Sequence, residues 1–151
     1  MNLFSTLDAI SMTTRIDETK DAVQKSSFPI GGDCRTWYVS AFALDNEVLV
    51  SAYVARLAEN DRPMRRLAIA NHIAEINARQ PVQFYTSKTG TIGVSASVPW
   101  GELEPDQLDR LIRSLVRSAE REYPQLLATI TGSSDLDRLA GSFAKSDEEA
   151  L

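Results

Sequence analysis

One cysteine and one histidine occur in 151 residues, and each scarcity removes a class of chemistry. Cys34 has no second cysteine to pair with, and no CxxC or Cys/His cluster surrounds it, so an intrachain disulfide is excluded and a zinc site has no ligand set. His72 has no second imidazole beside it for a metal site or proton relay. No apolar run approaches the roughly 20 residues that cross a bilayer. The opening stretch MNLFSTLDAISMTTRIDE lacks a basic segment followed by an apolar one, so no secretory signal is expected and the cytoplasm is the expected location. The order GxxxxGK[ST] is missing, and Ser87-Lys88-Thr89-Gly90 does not replace it as a phosphate loop.

What remains has the composition of an ordinary globular domain: 43% hydrophobic and 25% charged. A chain of this length buries enough surface to fold without covalent staples. Its net charge of −5 sets it against phosphate backbones and anionic lipid, so neither a nucleic-acid nor a membrane partner is expected. A single domain is expected over residues 1–143, with an acidic tail at 144–151.

Helical spacing of Leu3, Phe4, Leu7 and Ile10 predicts an N-terminal helix. With breaks, it is expected to run on through Ile16, Ala22 and Val23 until Phe28-Pro29-Ile30-Gly31-Gly32 stops it. Residues 36–44 and 47–57 are rich in aromatic and β-branched types. Asp45-Asn46 between them predicts a two-residue hairpin turn, read as one needing positive φ. That turn sets Phe42 opposite Leu49, Ser40 opposite Ser51 and Tyr38 opposite Tyr53, with Ala41–Val50 and Val39–Ala52 on the other face. Both faces look apolar, which implies a cover for each.

Asn60-Asp61-Arg62-Pro63 starts a helix carrying Leu67, Ala70, Ile73 and Ala74, with Asp61 as its cap. A second hairpin follows at 82–86 and 91–98. A long helix then begins at Pro105 with Leu108, Leu111, Ile112, Leu115 and Ala119 in a stripe. Tyr123-Pro124 is expected to break or kink it, and Leu136, Leu139 and Phe143 suggest a further short helix. The order α-β-β-α-β-β-α defines an α+β protein, an antiparallel sheet of two hairpins with helices packed on it.

The segment NHIAEINARQPVQFYTSKTGTIGVSASVPW and the helix at 103–119 resemble the YbjN-like, type III secretion chaperone-like family, with the likeness extending over residues 36–123. The resemblance implies a small acidic α+β protein, often a homodimer, that acts by binding other proteins and carries no catalytic residues.

Few residues offer chemistry of their own. Glu102, Glu104, Asp106 and Asp109 cluster carboxylates, but at a helix start, where acids are favoured anyway. Cys34 beside Arg35 could have a lowered thiol pKa. No catalytic residue, metal ligand or cofactor is expected, and the chain is read as a non-enzymatic protein-binding module. Arg110, Arg113, Arg117 and Arg121, spaced 3, 4, 4, share one helix face and are the candidate protein-binding residues. Arg56, Arg62, Arg65 and Arg66 form a second basic group. Trp37, Val39, Val48, Val50 and Val54 are the candidate apolar interface. The alternative is a small-ligand sensor with a pocket between sheet and helices, lined by Trp37, Tyr38, Tyr53, Phe84 and Trp100.

Overall fold

A computed structural model describes residues 2–57 and 63–131. Helix α1 spans Leu3–Ala9, and Asn2 caps it by accepting from the Ser5 amide at 3.1 Å. Strands β1 (Ile16–Lys20), β2 (Val23–Gly31), β3 (Thr36–Ala43) and β4 (Glu47–Arg56) follow. Then come α2 (Pro63–Arg79), β5 (Gln83–Thr86), β6 (Thr91–Pro99), a 3-10 turn (Trp100–Glu102) and α3 (Pro105–Thr131). One antiparallel sheet of six strands results, in the order β1-β2-β3-β4-β6-β5. No helix of the described residues is long and apolar enough to cross a membrane.

The expected continuation of the first helix is corrected here: residues 16–31 form a third hairpin. It turns at Asp21 and Ala22, whose φ angles are +52° and +65°. Tight hairpins want this left-handed pair, but usually with Asn or Gly, so Asp-Ala hides the turn in the sequence. Pro29 sits inside β2 without harm because β1 pairs only as far as Ser27, leaving no neighbour to need its missing N–H. Conversely, Asp45 and Asn46 close their hairpin without positive φ. Two bonds from Trp100 hold that corner: its amide to the Asn46 carbonyl at 3.1 Å, and Nε1 to the Leu44 carbonyl at 2.7 Å. The register of β3 on β4, Val39↔Ala52 through Ala43↔Val48, is as the turn position requires.

The helices cover one face of the sheet. Beneath them lie Trp37, Val39, Ala41, Val48, Val50, Ala52, Val54, Phe84, Ile92 and Val94, closed by Leu108, Ile112, Leu115 and Ala119 of α3. Edges are blunted differently. Strand β1 is exposed along its whole length and carries Asp17, Glu18 and Lys20. At β5, the Asn77 side chain reaches from α2 and bonds both the amide (2.7 Å) and the carbonyl (2.9 Å) of Phe84. This satisfies backbone groups that would otherwise recruit another strand.

The break expected at Tyr123-Pro124 does not occur, and α3 is continuous through Pro124. A proline there deprives the Glu120 carbonyl of its helical donor. The Cys34 thiol approaches that oxygen at 3.9 Å and supplies a weak substitute. Buried Leu126 keeps the last turns anchored. The proposed cap Asp61, the short helix with Leu136, Leu139 and Phe143, and the 144–151 tail lie outside the described residues.

Candidate functional site

The four α3 arginines end up where their spacing puts them. At 3.6 residues per turn they fall within about 80° of arc, opposite the buried Leu108, Leu115 and Ala119, and all four are exposed. Arg113 leans to Asp109, Nε–Oδ2 3.0 Å. Arg113, Arg117 and Arg121 are successive i,i+4 neighbours of like charge, an arrangement that destabilises a helix by about 0.2–0.5 kcal/mol per pair. Of the second basic group, Arg56 is exposed, Arg65 and Arg66 are half-buried and engaged, and Arg62 lies outside the described residues.

The candidate apolar interface is corrected. Trp37, Val39, Val48 and Val50 are 0% exposed and Val54 is 1% exposed, all of them within the chain's own core. Strand alternation turns them toward the helices together. The opposite face carries Tyr38, Phe42, Leu49 and Tyr53 and has no cover among the described residues; Tyr38 is 65% exposed. The same alternation removes the basis of an aromatic ligand pocket. Trp37 and Phe84 lie under the helices, Tyr38 and Tyr53 lie on the far side, and the five aromatics cannot line one cavity.

A polar centre that single residues do not announce joins the loop after β2 to α3. Glu120 Oε1 accepts from the Trp37 indole at 2.6 Å, and Oε2 accepts from the Cys34 amide at 2.9 Å. Burial works to raise the Glu120 carboxyl. Hydrogen bonds from Cys34, the Trp37 indole and the Arg35 amide outweigh it and hold the group below its ordinary value. The same contact pushes the Cys34 thiol up, opposite to the lowering expected from Arg35, so thiolate chemistry is disfavoured. Arg35 is occupied elsewhere: it stacks over Trp37 at 4.6 Å and Tyr123 at 5.4 Å and donates to the Val54 carbonyl at 2.7 Å.

Between α2 and α3, buried Glu122 accepts from Arg79 (2.7 Å) and Gln80 (2.8 Å), and Ser118 donates to Gln80 (3.2 Å). Alongside, a cleft of about 380 Å³ is lined by Ala68, Asn71, His72, Glu75, Arg79, Gln125 and Thr129. His72 Nδ1 lies 3.0 Å from Thr129 Oγ1. Among the described residues no group of three His, Cys, Asp or Glu side chains converges as a metal site.

Burial lowers the His72 pKa below 6.5. Burial works to raise Glu122, but Arg79 and Gln80 hold it below 4.5. Both folded values are depressed, so the stability each contributes is present above its unfolded value and lost as pH falls. Urea unfolding is therefore expected to be insensitive to pH between about 7 and 8, to weaken first below about 6.5, and to weaken again below about 4.5. His72→Gln should remove the first step alone. A first step that survives in that variant would assign it elsewhere.

The fold is that of the YbjN-like, type III secretion chaperone-like proteins. No protein-family model matches the chain, and no curated protein matches it by sequence. Solved structures match it in fold. YbjN from E. coli is similar over 83% of this chain and 87% of its own, with a TM-score of 0.58 and 20% identity. An uncharacterized protein from Methanothermobacter thermautotrophicus is similar over 85% of this chain and 96% of its own, with a TM-score of 0.62 and 13% identity. The HopA1–SchA chaperone–effector complex contains a chain similar over 80% of this one and 88% of its own, with a TM-score of 0.50 and 13% identity.

Proposed function

We propose that this chain is a non-enzymatic protein-binding module, chaperone-like or regulatory, that acts as a homodimer and docks an acidic segment of a partner protein along α3. The observation that carries the reading is the exposed row Arg110, Arg113, Arg117 and Arg121 on the outer side of α3. A helix that keeps like charges at i,i+4 gains when carboxylates from a partner lie between them. The presence of the same fold in a chaperone–effector complex supports the class. Glu120 pushes the Cys34 thiol up, which works against thiolate chemistry at that position.

The test is a native pull-down of the tagged protein from its own organism's lysate, read by mass spectrometry beside an Arg113→Glu/Arg117→Glu control. One partner retained in near-stoichiometric amount by the native chain, and reduced at least about tenfold in the control, is the expected result. Retention should also fall as salt rises toward 0.5 M. A partner held equally by both proteins would remove the arginine row from the interface, and an empty pull-down would remove the binding reading.

A further inference from the structure

The arginine stripe of α3 does not stop at Arg121. Pro124, Ala128 and Thr131 continue it, at spacings of 3, 4 and 3, to the end of the helix, and none of them is charged. Among the described residues only Arg113 of the row has an ion partner, Asp109 at 3.0 Å. Asp106 stands one turn before Arg110, at the far end. The second basic group competes poorly for an anion: Arg56 is exposed, but Arg65 and Arg66 are half-buried and engaged. A chain of net charge −5 repels carboxylates over most of its surface. From Thr131, where the stripe ends, the sequence runs on to Asp147, Glu148 and Glu149, three adjacent carboxylates with no cation between them. Asp135 and Asp137, by contrast, stand on either side of Arg138.

We propose that Asp147, Glu148 and Glu149 lie against Arg113, Arg117 and Arg121 of the same chain, in the place that a partner's acidic segment would take. The proposal rests on the arginine reading above and adds its regulation: the chain carries its own competitor. The charges fit, because carboxylates set between guanidinium groups relieve their repulsion at i,i+4. The length fits too. About 16 residues separate Thr131 from Asp147, and they span up to about 53 Å. Arg121 and Arg113 lie about 15 Å and 27 Å back from Thr131, at about 1.5 Å per residue. The carboxylates therefore reach the row without the connecting residues being drawn taut. A tether of this length holds them at an effective concentration on the order of 1 mM. An acidic partner segment then has to displace them, so it needs more carboxylates than the three it replaces, or contacts beyond the row.

A nitroxide label beside the three carboxylates reads this contact with no partner present, so its failure and that of the pull-down are distinguishable. Cys34 is exposed and is removed first, as Cys34→Ser, and Ser146→Cys then carries the label on the full chain. Backbone amide signals are compared before and after the nitroxide is reduced. Signals of Arg113, Arg117 and Arg121 are expected to weaken at least about twofold at about 20 mM salt, more than those of Ala128 and Thr131, and to recover at about 0.5 M. Asp147→Asn/Glu148→Gln/Glu149→Gln should abolish the preference for the arginines. Arg113→Glu/Arg117→Glu should abolish it at Arg121. Weakening that is greatest at Thr131 and falls off steadily toward Arg110 is what a tether without a contact produces, and it overturns the proposal. So does a preference that salt or the carboxylate substitutions leave unchanged, and so does weakening centred on Arg56 or α2. In a mixture of spin-labelled chain with label-free, isotope-enriched chain, no weakening is expected. Weakening there would give the row to the carboxylates of a second copy and overturn the contact within one chain.

Discussion

Replacing Trp37 with alanine is expected to lower the unfolding free energy by about 3–5 kcal/mol, the range for removing a fully buried tryptophan. The indole is 0% exposed. It meets Tyr123 edge-on at 5.4 Å and 83°, and it carries the Arg35 guanidinium on its face. Alanine would open a cavity between β3 and α3 that the sheet below and the helix above cannot close without moving. Loss of the Nε1 donor would also leave Glu120 with one fewer bond in a site where burial already works against its charge. Trp37→Phe separates these contributions. It keeps most of the ring packing and removes only the donor, so roughly half the loss is expected. Urea denaturation followed by circular dichroism measures both variants. A loss under about 1.5 kcal/mol for alanine would mean that the loop and α3 do not hold this centre as described.

The second large effect is a coupling. A Cβ on Gly32 would overlap Glu120 Oε1, come within 2.6 Å of its Cδ and within 2.9 Å of Trp37 Nε1. No positive φ demands glycine here; the requirement is space. Gly32→Ala should therefore cost about 1–3 kcal/mol by overpacking. Glu120→Ala should cost about 1 kcal/mol or more by leaving the part-buried Trp37 indole donor unpartnered. With Glu120 already truncated, the methyl at position 32 meets no carboxylate. The double variant is then expected to be less destabilised than the sum by at least about 1 kcal/mol. Strict additivity of the two substitutions is the outcome that would sink the account.

Much of the molecule is legible without coordinates wherever the local signal and the tertiary demand agree. The β3–β4 register follows from a two-residue loop, because pairing has a period of two and one slip would turn Val39, Val50 and Ala52 to the wrong side. The arginine row follows from its 3, 4, 4 spacing on a helix. The β1–β2 hairpin was hidden because its turn uses Asp21-Ala22, and because residues 16–20, exposed on both faces, carry no apolar alternation to reveal a strand. The sequence predicts a break or kink at Pro124, and no break occurs: a proline's penalty is local, whereas the contacts that hold the helix, the packing of buried Leu126 and the Cys34 loop, are tertiary.

What the sequence by itself determined is the α+β class, the order and pairing of the later elements, and the exposed charge row. Those depend on periodicity and turn chemistry, which are properties of neighbours along the chain. Only the tertiary structure decided which side of the hairpin is core and which is open, since two faces of similar apolarity give no local vote. The helices settle the matter by covering one of them. It also decided the Glu120 centre, because Gly32, Cys34, Trp37 and Glu120 come together only when a loop after β2 is folded against α3, more than 80 residues away in the chain.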